Sequence, residues 1–271
     1  MSVLDDINAG VREDMEARQR LVSLAELKDR VAAVASARDA WAALGGDSAR
    51  DQLKVIAEIK RSSPSKGALA TIGDPASLAR QYADGGAAVI SVLTEQRRFH
   101  GSLADLDTVR AAVDVPLLRK DFMIDEYQFW EARAHGADLV LLIVASLSDA
   151  QLRDYAALSH ELGMNVLVET HTPEEVERAA AAGARIIGVN VRNLKTLNVD
   201  RSVFADLVAA IPAGALVVGE SGVRDVDDVR HYAAHGANAV LVGEALVKNA
   251  TPQERIAEFM AAGAEEIAAR S

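Results

Sequence analysis

Val55-Ile56-Ala57-Glu58-Ile59-Lys60-Arg61-Ser62-Ser63-Pro64-Ser65-Lys66-Gly67 is the stretch on which the fold turns. A short apolar run rich in β-branched residues, followed by Ser-Ser-Pro-Ser, predicts a buried strand that opens into a polar turn. Side chains on a strand alternate faces, so Glu58 and Lys60 point the same way at its end. The turn brings three hydroxyls and, with Lys60, three cations. An ion pair at a strand end beside a solvated loop would account for this stretch taken alone. A carboxylate and an ammonium on one face, opening into a loop suited to an anion, read better as the wall of a site.

Outward from Val55, strand and helix alternate to the end of the chain. Strands are predicted at 55–60, 88–93, 117–120, 139–144, 165–169, 186–190, 216–220 and 239–242. Most are β-branched or Leu-rich runs without clean polar alternation, as parallel strands covered on both faces are. Helices are predicted near 75–84, 102–112, 126–135, 149–162, 173–182, 201–210, 226–235 and 254–268. Asp74-Pro75, Ser148-Asp149 and Thr172-Pro173 supply helix starts. Gly86, Gly136, Gly183 and Gly236 each precede a strand and recur about every 50 residues, the length of two βα units. Glycine there suits a left-handed helix cap. An open doubly wound sheet would carry a Gly-rich fingerprint after its first strand, and this chain has Glu-Ile-Lys-Arg-Ser-Ser-Pro instead. The fold expected is therefore α/β, a closed (β/α)8 barrel.

Residues 1–50 differ. Leu4, Ile7, Val11 and Met15 fall at helical spacing, Leu21, Leu24 and Leu27 continue an apolar pattern, and an Ala-rich helix is expected around Val31–Trp41. The expectation is one domain over 1–271, with a helical extension at 1–50 capping a barrel at 51–271.

Bulk properties narrow the function. Half of the 271 residues are hydrophobic and a quarter charged, with net charge −11. No basic tract is long enough to follow a nucleic-acid backbone. Cysteine is absent, so disulfides and thiolate metal sites are excluded and a reducing compartment fits. No apolar run reaches the roughly 18 residues of a membrane span. A signal peptide is not expected from Met1-Ser2-Val3-Leu4-Asp5-Asp6, and the cytoplasm is the expected compartment.

In a (β/α)8 barrel the active site lies at the C-terminal strand ends, so the residues there form the candidate site. They are Glu58 and Lys60, then Lys120, Glu169, Asn190 with Arg192, Glu220-Ser221-Gly222, and Gly243-Glu244. Charged side chains are rarely buried without partner or purpose, and this many converging ends exceed a structural ion network. Ser221-Gly222 and Gly243-Glu244 follow strands seven and eight, the usual phosphate position in such barrels. Glycines there let backbone N–H groups approach an anion. Lys60, Arg61, Lys66, Lys120 and Arg192 are expected to make the mouth locally positive despite the net charge. The six histidines are scattered and no metal site is expected; His171 follows Glu169 closely but is left outside the site. Asp225, Asp227 and Asp228 read as a solvated helix start.

With these residues assembled, the chain resembles the indole-3-glycerol phosphate synthase family. The matching stretches are Glu58-Ile-Lys-Arg-Ser-Ser-Pro-Ser-Lys-Gly, Leu93-Thr-Glu with Phe99-His-Gly-Ser, Leu118-Arg-Lys-Asp-Phe122, Leu141-Leu-Ile143, Leu167-Val-Glu169, Gly188-Val-Asn-Val-Arg-Asn-Leu-Lys-Thr-Leu197 and Glu220-Ser-Gly-Val223. Glu244 departs from members that carry a hydroxyl there. The resemblance implies closure of 1-(2-carboxyphenylamino)-1-deoxyribulose 5-phosphate to an indole, with loss of CO2 and water and without metal or organic cofactor. The chemistry it implies makes Lys120 the candidate general acid, Glu169 the base, and Glu58 with Lys60 a coupled pair that positions groups or supplies the second proton; the sequence does not decide which lysine is the acid in which step. Asn190 would hold sugar hydroxyls or orient a carboxylate. Arg192, Ser63, Ser221, Gly222, Gly243 and Glu244 are expected at the anionic ends of the substrate, with Glu220 beside them. Phe99, Phe122, Leu141 and Leu194 would make an apolar slot for the aromatic ring, and Arg61 to Gly67 a lid. A monomer is expected, loosely associated at most with neighbouring pathway enzymes. Two rivals share the fold: a phosphoribosylanthranilate-type aldose–ketose isomerase and a non-catalytic phosphate-binding barrel. Neither accounts for Lys120 set opposite Glu169 beside an aromatic slot.

Overall fold

The apolar runs pair in parallel, and the pairing closes on itself. In the computed structural model, which describes residues 3–46, 50–63, 67–68, 72–193, 196–247 and 251–270 (without the side chains of 63 and 68), eight strands form one barrel. They are β1 (Lys54–Ile59), β2 (Val89–Leu93), β3 (Leu117–Lys120), β4 (Leu139–Ile143), β5 (Asn165–Thr170), β6 (Ile186–Asn190), β7 (Leu216–Glu220) and β8 (Ala239–Val242), with β8 pairing back onto β1. Strand ends match the sequence reading to within a residue. Between them run α4 (Pro75–Asp84), α5 (Leu103–Arg110), α6 (Glu126–Ala134), α7 (Asp149–Glu161), α8 (Pro173–Ala181), α9 (Val203–Ala209), α10 (Val226–Ala234) and, last, α11 (Pro252–Ala268). Asp74, Ser148 and Thr172 each accept a backbone N–H of the first helical turn, as their positions predict. Gly86, Gly136, Gly183 and Gly236 all have φ between +79° and +92°, the left-handed cap that turns each helix into the next strand.

The N-terminal segment runs along the barrel from mouth to floor. Helix α1 (Val3–Gln19) buries Ile7, Val11 and Met15, the spacing seen in the sequence. Arg97 pairs with Asp14, and Arg98 with Asp6, tying α1 to the loop after β2. Helix α2 (Leu24–Ala33) packs on α6, with Leu27, Met15 and Tyr127 forming a small apolar cluster. The Ala-rich helix expected around Val31–Trp41 does not form as one element. Helix α2 ends at Ala33, and α3 (Ala40–Ala43) starts after an extended passage. Tertiary hydrogen bonds compete with helix propensity there. Arg133 donates to the Ala35 carbonyl, the Arg38 N–H donates to Asp138, and the Ala40 and Trp41 N–H groups share Asn165 Oδ1 at 2.8 and 3.2 Å. Asp138 and Asn165 lie at the N-terminal ends of β4 and β5, so the extended passage closes the barrel floor. Leu21, expected in the apolar pattern, is left exposed. Beyond β1, Ser62–Ser63 and Gly67–Ala68 make a short antiparallel pair that the turn-rich composition concealed.

Candidate active site

Alternation along the strands determines which side chains meet. Lys120 on β3 and Glu220 on β7 end their strands, Glu58 on β1 and Glu169 on β5 lie one residue before the end of theirs, and all four line the cavity at the barrel mouth, with Asn190 on β6 level with Glu220 in the register. The Lys120 ammonium lies 3.1 Å from Glu169 Oε2 and 3.1 Å from Glu220 Oε2, bridging two buried carboxylates. Asn190 donates to Glu169 Oε1 at 3.0 Å, and its own Oδ1 accepts the Arg192 N–H at 3.0 Å. Glu58 and Lys60 pair directly. Gly188, beside Glu169 in the register, leaves the space that Glu220 occupies: a methyl group at Gly188 would collide with its carboxylate.

Electrostatics separate the carboxylates. Burial alone would lower the Lys120 pKa, but Glu169, Glu220 and Glu58 outweigh it and hold the ammonium above its usual range. Burial pushes Glu169 up, yet Lys120, then His171 and Asn190, bring it well below the usual carboxylate range. Glu220 is dominated by its burial, opposed by Lys120 and reinforced by Glu169, and is pushed up to about 8. Its Oε1 makes no hydrogen bond. Two carboxylates with widely separated affinities for a proton flank one cation, the pattern of an acid–base site.

The cluster forms the floor of a cavity of about 730 Å³. Phe99, Phe122 and Leu141 line it, the two rings 6.2 Å apart and tilted by 41°. Phe99 is presented by the buried Glu95, whose carboxylate accepts the N–H groups of Arg97, Arg98 and Phe99 at 2.8 to 3.0 Å. Phe122 is held by Asp121, which accepts its N–H, and by Gln128, which donates to its carbonyl. Leu194 and Lys66 lie outside the described residues, as does the side chain of Ser63. Leu197 and Val199 line the wall beside Arg192, and Leu4 and Ile7 bring α1 into the cavity. The extension is thus part of the site, a role its amphipathic spacing alone could not reveal.

Ser221, Gly222, Gly243 and Glu244 also line the cavity. Ser221 and Gly222 have φ of +67° and +78°, a backbone that Ser rarely adopts and that sites over-determine. Tyr232 donates to the Ser221 carbonyl at 2.8 Å, and Arg201 to that of Gly222 at 3.0 Å, which holds the turn. Gly243 approaches Glu58 so closely that a Cβ would lie 2.9 Å from Oε1.

Three expectations change. Arg61 turns away from the mouth to a forked ion pair with Asp105. Arg201, Arg224 and Arg255 line the cavity instead, cations that distant sequence positions hid. Asp228 is not solvated: it is buried, pairing with Arg201 at 3.0 Å and Arg224 at 2.8 Å. Glu220, expected at the phosphate turn, directs its carboxylate to Lys120. Among the described residues no group of three or more His, Asp or Glu is placed to hold a metal ion, and no helix is long and apolar enough to cross a membrane.

A (β/α)8 barrel whose mouth joins a lysine–carboxylate cluster to an aromatic slot and two glycine-bearing turns is built for acid–base chemistry on a small anionic molecule. Residues 4–259 match the family model of indole-3-glycerol phosphate synthase. Proteins of that name from Arthrobacter sp. (strain FB24) and Paenarthrobacter aurescens (strain TC1) are 80% and 74% identical to the chain, each matching over 100% of both lengths. One from Micrococcus luteus is 59% identical over 97% of this chain and 98% of its own. The chain belongs to the indole-3-glycerol phosphate synthase family, the carboxy-lyases that form the indole ring in tryptophan biosynthesis. The isomerase and non-catalytic readings are thereby set aside. A solved structure of 3-hexulose-6-phosphate synthase from Salmonella typhimurium superposes with a TM-score of 0.63 at 15% identity, over 81% of this chain and 100% of that one. At that identity the likeness is one of fold.

Proposed function

We propose that this site closes 1-(2-carboxyphenylamino)-1-deoxyribulose 5-phosphate to indole-3-glycerol phosphate, with Lys120 as acid and Glu169 as base. The observation that carries the assignment is the Lys120 ammonium held between Glu169 and Glu220 beside the Phe99–Phe122 slot. The ring carbon that bears the carboxylate attacks the ketone, and Lys120 protonates the oxygen as the C–C bond forms. The attacking ring is left cationic, so the electrons of its bond to the departing carboxylate restore aromaticity and CO2 leaves without a cofactor. Loss of water follows: Glu169 removes a proton, and the coupled Glu58–Lys60 pair protonates the leaving hydroxyl. Asn190 keeps Glu169 aimed, and Arg192 offers a fork for an anionic group of the substrate. The turns at Ser221-Gly222 and Gly243-Glu244 take the phosphate through backbone N–H groups, with Ser63 adding a contact from the loop after β1. The chain acts as a monomer of one cooperative domain in the cytoplasm. A single unfolding transition and a monomeric mass by light scattering are the expected observations.

Indole fluorescence tests the assignment: wild type incubated with the carboxyphenylamino substrate should give product, and a folded wild type that gives none sinks it. Glu169→Gln should lower kcat by roughly 10²- to 10⁴-fold while KM changes little. Equal losses in binding and rate would remove the base role. Gly188→Ala should displace Glu220 and lower kcat about 10- to 100-fold in a protein that still melts cooperatively. An unchanged kcat would mean that Glu220 has room to adjust.

A further inference from the structure

His171 belongs to no step above, yet it lies between two carboxylates. It follows Glu169 by two residues, at the end of β5, and its side chain is only a tenth exposed. Nε2 lies 3.3 Å from Glu169 Oε1, a charge contact that is off the line of a hydrogen bond. Nδ1 lies 3.2 Å from Glu175 Oε2, and the same oxygen accepts the His171 backbone N–H at 2.7 Å. Glu175 is fixed in turn in the first turn of α8, where its N–H donates to the capping Thr172 hydroxyl. An ionised carboxylate only accepts hydrogen bonds, and a neutral imidazole has one N–H. A neutral ring could donate to Glu175 but would bring no charge to Glu169. Only the cation is attracted to both carboxylates.

We propose that His171 is a positioning residue that stays cationic, holds Oε1 of Glu169 on the side away from Lys120, and keeps that carboxylate ionised through turnover, with Glu175 as its counter-charge. This role rests on Glu169 being the base. Glu169 is faced by Lys120 from β3, Asn190 from β6, Glu220 from β7 and His171 from the residue just past its own strand; Glu58 on β1 acts on it through Lys120. His171 is faced by Glu169 and by Glu175 of α8. Lys120 must turn to the substrate oxygen to act as acid, and its hold on Glu169 then weakens. His171 is the cation that remains. Burial works against a charged ring, but Glu169 and Glu175 outweigh it and lift the His171 pKa to about 10.

Histidine-selective 15N spectra of the unaltered protein give the first test. The His171 ring, assigned by its loss in His171→Gln, should show two protonated nitrogens at pH 8. A neutral tautomer at that pH overturns the proposal. Kinetics give the second. His171→Gln should lower kcat about 10- to 100-fold with KM within about threefold. It should also move the acid limb of the kcat profile to higher pH. Glu169 acts as a carboxylate, so activity falls as pH drops through its pKa, and removing a neighbouring cation raises that pKa. Glu175→Gln, which can still accept the His171 N–H, should shift the limb the same way by less. An unshifted limb in both variants, even with reduced thermal stability, would make His171 a structural staple and end the proposal. Wild type run alongside separates the failures: no indole product from it sinks the reaction assigned to the site, whereas normal wild-type turnover with unshifted variants sinks only the role of His171.

Discussion

Lys120→Ala is expected to lower kcat by about 10³-fold or more, because one change removes both the proton donor and the charge that would stabilise the developing alkoxide. Single-turnover indole fluorescence is the measurement, and a kcat within tenfold of wild type would take the acid role from Lys120. The variant should also lose stability in a pH-dependent way. Without the ammonium, Glu169 and Glu220 remain buried with one cation fewer between them. Glu220 already has its carboxyl pushed up to about 8 by burial and by Glu169. A carboxyl raised in the fold favours the folded state at low pH, and that contribution is lost as pH rises from the ordinary glutamate range through the raised value. Loss of Lys120 raises both carboxyls further. The gap in melting temperature between wild type and Lys120→Ala should therefore widen from pH 5 to pH 8. A gap that narrows would mean that the carboxylates are stabilised by groups other than Lys120.

Arg119→Ala should produce the largest loss of stability, about 3–5 kcal/mol and roughly 10 °C in melting temperature. Arg119 precedes Lys120 and so points out of the barrel, into the layer under α6. It is fully buried, with Nη2 3.1 Å from Asp121 Oδ2 and 3.0 Å from Glu131 Oε2, Nε 3.2 Å from the Thr94 hydroxyl and Nη1 3.0 Å from the Gln128 carbonyl. Arg18 of α1 completes the network through a forked pair with Glu131 at 2.7 and 3.0 Å. Removing Arg119 strands Asp121 in a low-dielectric layer, and a stranded buried charge costs more than the pair was worth. Arg18→Ala, at a partly exposed position, should cost less. Burial works to raise the Glu131 carboxyl, but Arg119 and Arg18 hold it below the usual range. A depressed carboxyl stabilises the fold above its unfolded value, a contribution lost as pH falls through the depressed one. Acid should thus erode wild type more than Arg119→Ala. Urea unfolding at pH 7 and pH 4 measures both effects, and a cost under 1 kcal/mol at pH 7 would show that the layer relaxes around the stranded charges.

The barrel was readable because local signals repeat. Five of the eight strands follow a left-handed glycine (Gly86, Gly136, Gly163, Gly183 and Gly236), most of the helices between them open on a capping side chain, and the strand boundaries read from these signals and the apolar runs match to within a residue. The site was readable in part for the same reason: parallel strands place their C-terminal ends on one rim, and period-two alternation says which end residues face inward. Glu58, Lys120, Glu169, Asn190 and Glu220 could be gathered from that rule without any distance.

What lay beyond the sequence was everything set by contacts between distant segments. The break between α2 and α3 follows from Asp138 and Asn165, about a hundred residues away, accepting N–H groups that a continuous helix would have used. Arg61 could have faced the mouth or Asp105, and only the fold put a carboxylate within its reach. Asp228 reads as an ordinary helix start until two arginines close over it. Glu220 and Ser221 are neighbours in sequence, yet the left-handed turn at Ser221 gives one to the lysine and the other to the rim. By itself, then, the sequence determined which strands form and which residue types end them, because propensity, capping and alternation act over a few residues. Which charges neutralise one another was decided by the tertiary structure, because a buried ion pair depends on ångström distances between segments that share no local signal.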